Sequence, residues 1–381
     1  MKNKNTNSPA WRAWRKFRRN IAAMIGLFII TVATLLAIVG YLVVPDNTTH
    51  ANQQIVELKL KEPGYTAKLL KVKLDNPVED RNLLEIFWNG KEREFRYIPI
   101  LNYSIAGDTI YYEHYIGRPD EGLPEQISIN EVLGNEKGRV RDIQSYIESE
   151  AIISRTFLLG TDAIGRDYFS RLILGTRVSI AVGLMAVVIS LIIGIFLGAV
   201  AGYFRGWVDD AIMYVISVFW SVPTLLLALS LALVLEKGLW QVFVAIGLTM
   251  WIDLARIVRG QILSLREMEF VEAANSLGFN HSRIIFRHIL PNIIGPVTVI
   301  VAANFSAAIL LEAGLSFLGL GVERPMPSWG MMLSDNRTYL IAGLSHLAII
   351  PGIAICLLVL SFFMVGNGLR DAFDVKTKIN Y

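Results

Sequence analysis

Six stretches of this chain carry no Asp, Glu, Lys or Arg over lengths that a soluble core rarely absorbs: residues 21–44, 178–204, 211–235, 238–252, 292–311 and 338–369. A helix needs roughly 17 to 25 apolar residues to cross a bilayer core. Five runs therefore qualify outright, and the fourth must extend past Asp253. Lipid offers no hydrogen-bond partner to an open backbone, so each run must be helical. Hydrophobic residues make up 53% of the chain, and the charges gather between the runs instead of covering a surface. The expected fold is an all-α polytopic membrane protein with six transmembrane helices.

Orientation follows from Lys and Arg in the short flanks. Lys2, Lys4, Arg12, Arg15, Lys16, Arg18 and Arg19 precede the first run with no acid among them, which places the N-terminus in the cytoplasm. Six crossings return the C-terminus there, in the inner (plasma) membrane of the cell. Arg256, Arg259, Arg266, Arg283, Arg287, Arg370, Lys376 and Lys378 then share the cytoplasmic side, and the short external connections hold only Lys237, Arg324 and Arg337. Arg155, Arg166, Arg171 and Arg177 fall outside, ahead of the second run, where long translocated segments obey the charge rule weakly. The first run exceeds the roughly 7 to 15 residues of a signal-peptide apolar region and has no small-x-small pattern before Pro45. It reads as a retained anchor. Cys356, the single cysteine, excludes an intrachain disulfide and a cysteine metal site. The basic pI, near 8.8, belongs to the cytoplasmic flanks and not to a nucleic-acid surface.

Residues 45–155 are polar and should fold outside the membrane as a mostly β insert. Val56, Leu58 and Leu60 alternate with charged residues, as do Leu70, Val72 and Leu74, which is strand periodicity. Residues 84–97 read as a hairpin about Asn89-Gly90, and a helical stretch is expected near residues 131–147. The domain plan is a basic cytoplasmic N-terminus (1–20), the first helix (21–44), the external insert (45–155), an external pre-helix segment (156–177), a five-helix core (178–369) and a cytoplasmic tail (370–381).

Within the core, Ala186, Ser190, Gly194, Gly198 and Gly202 recur every four residues. Such a ridge lets helices approach closely in lipid, either as fixed packing within the subunit or as a contact that slides. Pro223, Pro296 and Pro351 interrupt later runs, and each favours a kink. Glu312 sits between apolar stretches, where an unpartnered carboxylate is costly; it either faces a pathway or pairs with Arg324 or Arg337. Asp253 and Arg256 are spaced to pair with each other.

The polar segment EAANSLGFNHSRIIFRHILP, residues 272–291, lies between two runs. Phe270, Ala273, Ala274 and Leu277 fall on one helical face. Gly278 is placed to end that helix in a left-handed conformation, Asn280 or Ser282 to cap a second, and Pro291 to close it. A helix-Gly-helix knob carrying Arg283 and Arg287, tied at both ends to spans, suits mechanical coupling.

This spacing of Glu-Ala-Ala, Gly and Leu-Pro resembles the EAA loop of ABC importer permeases. LGTDAIGRDYFSRLILGTRVSI (159–180), AGYFRGWVDD (201–210), ARIVRGQ (255–261), ILLEAGLSFLGLGVERPMPSWGMML (309–333) and NGLRDAFD (367–374) are similar to the C-type subunit of the dipeptide, oligopeptide and nickel branch. The resemblance implies the importer-permease fold with the loop (266–291) entering a cleft of a cytoplasmic ATPase. It assigns coupling to Glu272, Ala273, Ala274, Gly278, Arg283, Leu290 and Pro291. It also implies a sister permease, two ATPase subunits that hold ATP and Mg, and an external solute-binding protein, with no cofactor on this chain. Between Asp210 and Pro223 the family often carries an Arg and an Asp facing the bundle, where this chain has Tyr214 and Ser217; these, Pro223 and Glu312 are the pathway or gate candidates, with Gly194, Gly198 and Gly202 as packing residues. The external insert has no recognised counterpart in the family.

No G-x-x-x-x-G-K-[ST] occurs, so the chain lacks the phosphate cradle of an ATPase. An intramembrane serine protease using Ser316 or Ser345 with His346 is disfavoured, because positions 345 and 346 point about 100° apart on a helix and no G-x-S-x-G elbow is present. A secondary transporter or channel is disfavoured by the scarcity of paired ionisable residues in the runs. The resemblance puts peptides first as substrate, with nickel chelates or another small solute as alternatives.

Overall fold

The computed structural model describes residues 9–74, 81–118, 121–134 and 143–373. Lys2, Lys4, Asp374, Lys376 and Lys378 lie outside them. A short helix α1 (Pro9–Phe17) leads to α2 (Ile21–Val43), capped by Asn20, whose side chain accepts from the Ala23 N–H at 3.1 Å. Ile21, Ile25, Phe28, Val32, Leu35, Ile38 and Leu42 are exposed along α2. Their spacing of three and four makes one continuous apolar stripe, as on a helix that faces lipid.

The insert is built on a five-stranded antiparallel sheet, ordered β4-β3-β2-β1-β5. Its strands are β1 (Tyr65–Lys73), β2 (Phe95–Ala106), β3 (Thr109–Tyr115), β4 (Gly122–Ser128) and β5 (Ile152–Phe157). Helix α3 (Leu83–Asn89) lies between β1 and β2; α4 (Ile129–Leu133) and α5 (Ile143–Tyr146) follow β4. Leu70, Val72, Ile98, Ile100, Ile110 and Ile127 form its core with Val132 and Leu133.

Several expectations for this region are corrected. Residues 56–58 form a 3₁₀ turn, because Ile55 and Leu58 bury at a spacing of three while Val56 stays exposed, and Leu60 takes a positive φ of 55°. The hairpin at 84–97 is instead helix α3 followed by a short connection and the start of β2. The Glu85 carboxylate caps α3 by accepting from the Asn82 N–H at 3.1 Å, and Gly90, at φ 77°, ends the helix rather than turning two strands. The tight hairpin joins β2 to β3 at Gly107, φ 62°. The helix near 131–147 is two short pieces, with residues 135–142 outside the described set. The insert also ends later than residue 155, since β5 runs through Phe157, and residues 168–177 already belong to the next helix.

That helix, α6 (Tyr168–Phe204), is followed by α7 (Gly206–Trp220), α8 (Thr224–Val234) and α9 (Leu239–Arg266). After the loop helices α10 (Glu269–Ser276) and α11 (His281–Arg283) come α12 (Leu290–Phe317), α13 (Trp329–Asn336) and α14 (His346–Phe373). Among the described residues, five helices are long and apolar enough to span a membrane, or six spans if α7 and α8 count as one. Those two meet at 90°, so the run 211–235 is not one straight helix. Pro223 removes an N–H and bars Val222 from helical geometry, which breaks the run there. By contrast, α12 and α14 continue through Pro296 and Pro351. The last run begins its helix late, after Gly343 at φ 85°.

The bundle centres on α6 against α9. Gly194, Gly198 and Gly202 are buried in this contact. A Cβ at Gly194 would lie 2.8 Å from Leu254 Cδ2, one at Gly198 2.5 Å from the Ala255 carbonyl oxygen, and one at Gly202 2.8 Å from that of Arg259. Two of these obstacles are backbone, which no side-chain rotation can move. Gly247 returns the approach from α9, where a Cβ would lie 2.6 Å from Ile189 Cβ. Gly198→Leu is therefore expected to cost at least about 1–3 kcal/mol, seen as a lowered melting temperature of the purified protein in detergent. Exposed Leu184→Ala, on the same helix, should leave it almost unchanged.

Candidate coupling loop and junction

The loop between α9 and α12 is held from behind and free in front. Helix α10 buries Val271 and Ala274 against Tyr203, Val258 and Ile262 at the ends of α6 and α9. It ends in a Schellman motif: Phe279 N–H donates to Ala274 O at 3.2 Å and Gly278 N–H to Asn275 O at 2.9 Å. Gly278 takes φ 74° at the left-handed position. Asn280 then caps the next turn by accepting from the Arg283 N–H at 3.0 Å.

Side-chain contacts fix this knob to the bundle. The Tyr203 hydroxyl lies 2.9 Å from His281 Nδ1, and Arg266 donates to the Tyr203 carbonyl. Arg205 donates to Glu267 at 2.8 Å. Beside them, Arg259 grips Asp209 through two bonds of 2.5 and 2.6 Å. Such paired bonds fix orientation as well as charge.

Pro291 does not close the second helix. Ile284–Ile289 is a π-helical stretch that passes directly into α12, so residues 281–317 form one continuous helix. Pro291 sits in the first turn of α12, where its missing N–H is tolerated. The candidate coupling segment is thus the end of a long helix.

Of the residues assigned to coupling, Glu272, Ala273 and Gly278 are exposed, together with Phe270 and Leu277. Ala274 is not: it faces inward, 3% exposed, and packs the loop's own core. Arg283 is exposed and stacks over Phe279 at 4.1 Å. Leu290 is half-buried and Pro291 exposed. Glu272 makes no ion pair among the described residues.

The pathway candidates do not converge. Tyr214, Ser217 and Pro223 are exposed on α7 and the following turn, whereas Glu312 is fully buried. Neither arginine reaches Glu312. Arg324 pairs with Asp335, Arg337 lies over Phe317 at 5.3 Å, and Glu312 accepts from the Ser316 hydroxyl, one turn on, at 2.7 Å. Ser316 gives its proton to a carboxylate and not to an imidazole, contrary to a protease site. Asp253 and Arg256 do not pair either; Asp253 is exposed and Arg256 stacks over Trp220 at 4.3 Å.

A second constellation went unassigned in the sequence: a buried charge cluster where the insert meets α6. Asp162 accepts from the Ile164 and Arg166 backbone N–H groups at 3.1 and 3.0 Å and from Arg166 Nε at 2.6 Å, with Arg171 Nε at 3.8 Å. Asp167 caps α6 through Ser170, whose hydroxyl also accepts from the Asp46 N–H at 3.0 Å. Arg171 donates to His50 O and Pro325 O. Burial pushes the Asp167 carboxyl above its ordinary value, against the Ser170 hydrogen bonds and the nearby Arg155 charge. Burial, then the Arg171 and Arg177 charges, hold the His50 imidazole below its own. The signal was present in GTDAIGRD and in arginines that defied the topology rule.

Comparison with known proteins covers the two ends of the chain and most of the bundle. Residues 194–379 match the model of the binding-protein-dependent transport system inner membrane component, and residues 8–63 match the N-terminal TM domain of oligopeptide transport permease C. The glutathione transport system permease protein GsiD of Pectobacterium atrosepticum is 40% identical over 62% of this chain and 79% of its own length. The dipeptide transport system permease protein DppC of Alkalihalophilus pseudofirmus is 44% identical over 58% and 72%. The oligopeptide transport system permease protein OppC of Bacillus subtilis is 42% identical over 59% and 73%. Among solved structures, the inward-facing MetNI methionine ABC transporter aligns at a TM-score of 0.45 and 16% identity, over 54% of this chain and 97% of that one.

The chain belongs to the binding-protein-dependent transport system inner membrane component family. It is a C-type permease subunit of an ABC importer, an inner-membrane protein and not itself an enzyme.

Because no atom lies within 4 Å of a Cβ built at Gly278, conformation alone restricts that position. Gly278→Val should lower stability by about 1–2 kcal/mol, while Gly278→Asn, which tolerates positive φ, should cost less than half as much. Thermal melts of the two variants check the order.

Proposed function

We propose that the protein is a peptide-importer permease whose loop at residues 266–291 docks into a cytoplasmic ATPase subunit and relays its motion to the translocation pathway. The observation that carries this reading is the free face of α10: Phe270, Ala273 and Leu277 make an exposed apolar stripe beside an unpaired Glu272, on a helix pinned to α6 and α9. An exposed apolar stripe on a rigid support suits a partner's cleft. The dipeptide, oligopeptide and glutathione permeases among the relatives support peptides as cargo.

A sister permease accounts for the poorly covered α7 and α8. Trp207, Tyr214, Trp220, Leu226, Leu233 and Val234 are all exposed there. Under this reading α7 and α8 form a single broken crossing, both termini are cytoplasmic and the sheet is external, facing a solute-binding protein. ATP and Mg act in the two partner ATPases. Tyr214, Ser217 and Pro223 then lie toward the sister subunit and the pathway, and Glu312 serves packing.

Glu272→Lys and Leu277→Ala should leave membrane insertion and melting temperature unchanged and reduce ATPase co-purification and peptide uptake about tenfold or more. Full uptake with normal ATPase retention in both variants would remove the docking assignment. Topology has its own test. A cysteine replacing exposed Arg118 should react with a membrane-impermeant maleimide in intact spheroplasts, and labelling only after lysis would invert the orientation and sink the importer reading.

A further inference from the structure

Where α2 leaves the bundle, a groove of about 520 Å³ opens between α2, α6 and the end of α3. It descends along α2 from Tyr41 to Thr34, about two helical turns or 10 Å. Its wall is almost wholly apolar, and no Asp or Glu lines it. At its head stands Arg177, half-buried, with its guanidinium 4.9 Å from the Tyr41 ring and 5.4 Å from the Trp88 ring. Nη1 donates to the Trp88 carbonyl at 3.0 Å. A guanidinium has five N–H donors, so most remain available on a cation without a carboxylate partner among the described residues.

The surroundings indicate what fills the groove. Gly90 packs on Tyr41, where a Cβ would lie 2.6 Å from the ring, and this sets α3 across the end of α2. From there α3 exposes Leu83 (86%), Leu84 (75%) and Trp88 (58%). Exposed Ile38 and Leu42 continue the apolar stripe of α2 up to this point, and exposed Leu184 flanks it on α6. The groove is therefore continuous with the lipid-facing surface of the spans, and its single charge lies at the level where a membrane ends. Aromatic and arginine side chains at that depth suit headgroups.

We infer that a membrane phospholipid is bound here, its phosphodiester against Arg177 and one acyl chain laid down the groove toward Thr34. A soluble anion would satisfy the guanidinium and leave the apolar wall open. A helix from another subunit would cover the wall and leave the cation without a counter-charge. The inference rests on the spans lying in a bilayer and is independent of the transported solute.

The test uses the full chain, isolated with its co-expressed subunits and reconstituted in nanodiscs of phosphatidylethanolamine and phosphatidylglycerol. The discs are doped with a phosphatidylcholine bearing a diazirine on its acyl chain. After illumination, peptides covering 34–41 and 178–184 should carry at least about fivefold more label than the open stripe at 21–28. Arg177→Gln, which removes one charge-assisted contact, should lower groove labelling to about the level of the open stripe, and Arg177→Lys should retain most of it. Ala181→Trp, which fills the groove, should lower it similarly, with labelling at 21–28 unchanged as the control for folding. Equal labelling of groove and stripe in the unmodified protein would overturn the inference. So would crosslinking of benzoylphenylalanine at Ile38 to the sister permease instead of to lipid.

Discussion

The bundle depends on how closely α6 approaches α9. In a bilayer no water is released when two apolar helices meet, so cohesion comes from short-range contact and from hydrogen bonding. Gly194, Gly198 and Gly202 remove the side chains that would hold the axes apart, and the Ala255 and Arg259 carbonyls fill the space. The loop at 266–291 is positioned from this seam. Tyr203 and Arg266, at the two helix ends, are where α10 finds its support, and the Arg259–Asp209 pair ties α7 to the same corner.

At the opposite end the binding force is electrostatic. Asp46, Asp162, Arg166, Asp167 and Arg171 are all buried where the insert meets α6. Buried charges are tolerated only when each is paired and hydrogen-bonded, and here the partners come from the segment after α2, the loop after β5, α6 and the turn at Pro325. The insert is consequently not a bead on a tether. A shift of the sheet would have to break contacts within a water-poor cluster, so the sheet and the start of α6 move as one piece.

What could be read from the sequence follows from which signals are local. Uncharged runs and the four-residue ridge are set by composition and helix geometry, and both appear in the structure as helices and a close seam. Gly278 was legible because a helix end needs a left-handed residue. Misreadings arose where two local signals competed. Asn89-Gly90 has the composition of a hairpin turn, but the Asn82–Glu85 cap upstream had already committed residues 83–89 to helix. Pro291 reads as a stop, yet proline is also at home in a first helical turn, and only the register of the preceding π-helical stretch decides between them. The partners of Glu312, Arg324 and Arg256 depend on tertiary proximity, which no spacing rule encodes. The inward face of Ala274 likewise follows from the core behind α10.

The unbroken course of residues 281–317 carries a mechanical consequence. At 1.5 Å per residue this helix is about 55 Å long. It packs on the end of α14 at Gly295, where a Cβ would lie 3.0 Å from the Phe373 ring. Pivoting there, the helix has a short arm of about 21 Å toward the loop and a long arm of about 33 Å toward Phe317. A displacement of about 2 Å imposed at His281 would then arrive at the far end as about 3 Å in the opposite direction. A rigid helix pivoting at that point would invert the motion and enlarge it, with a gain set by where along its length the pivot falls.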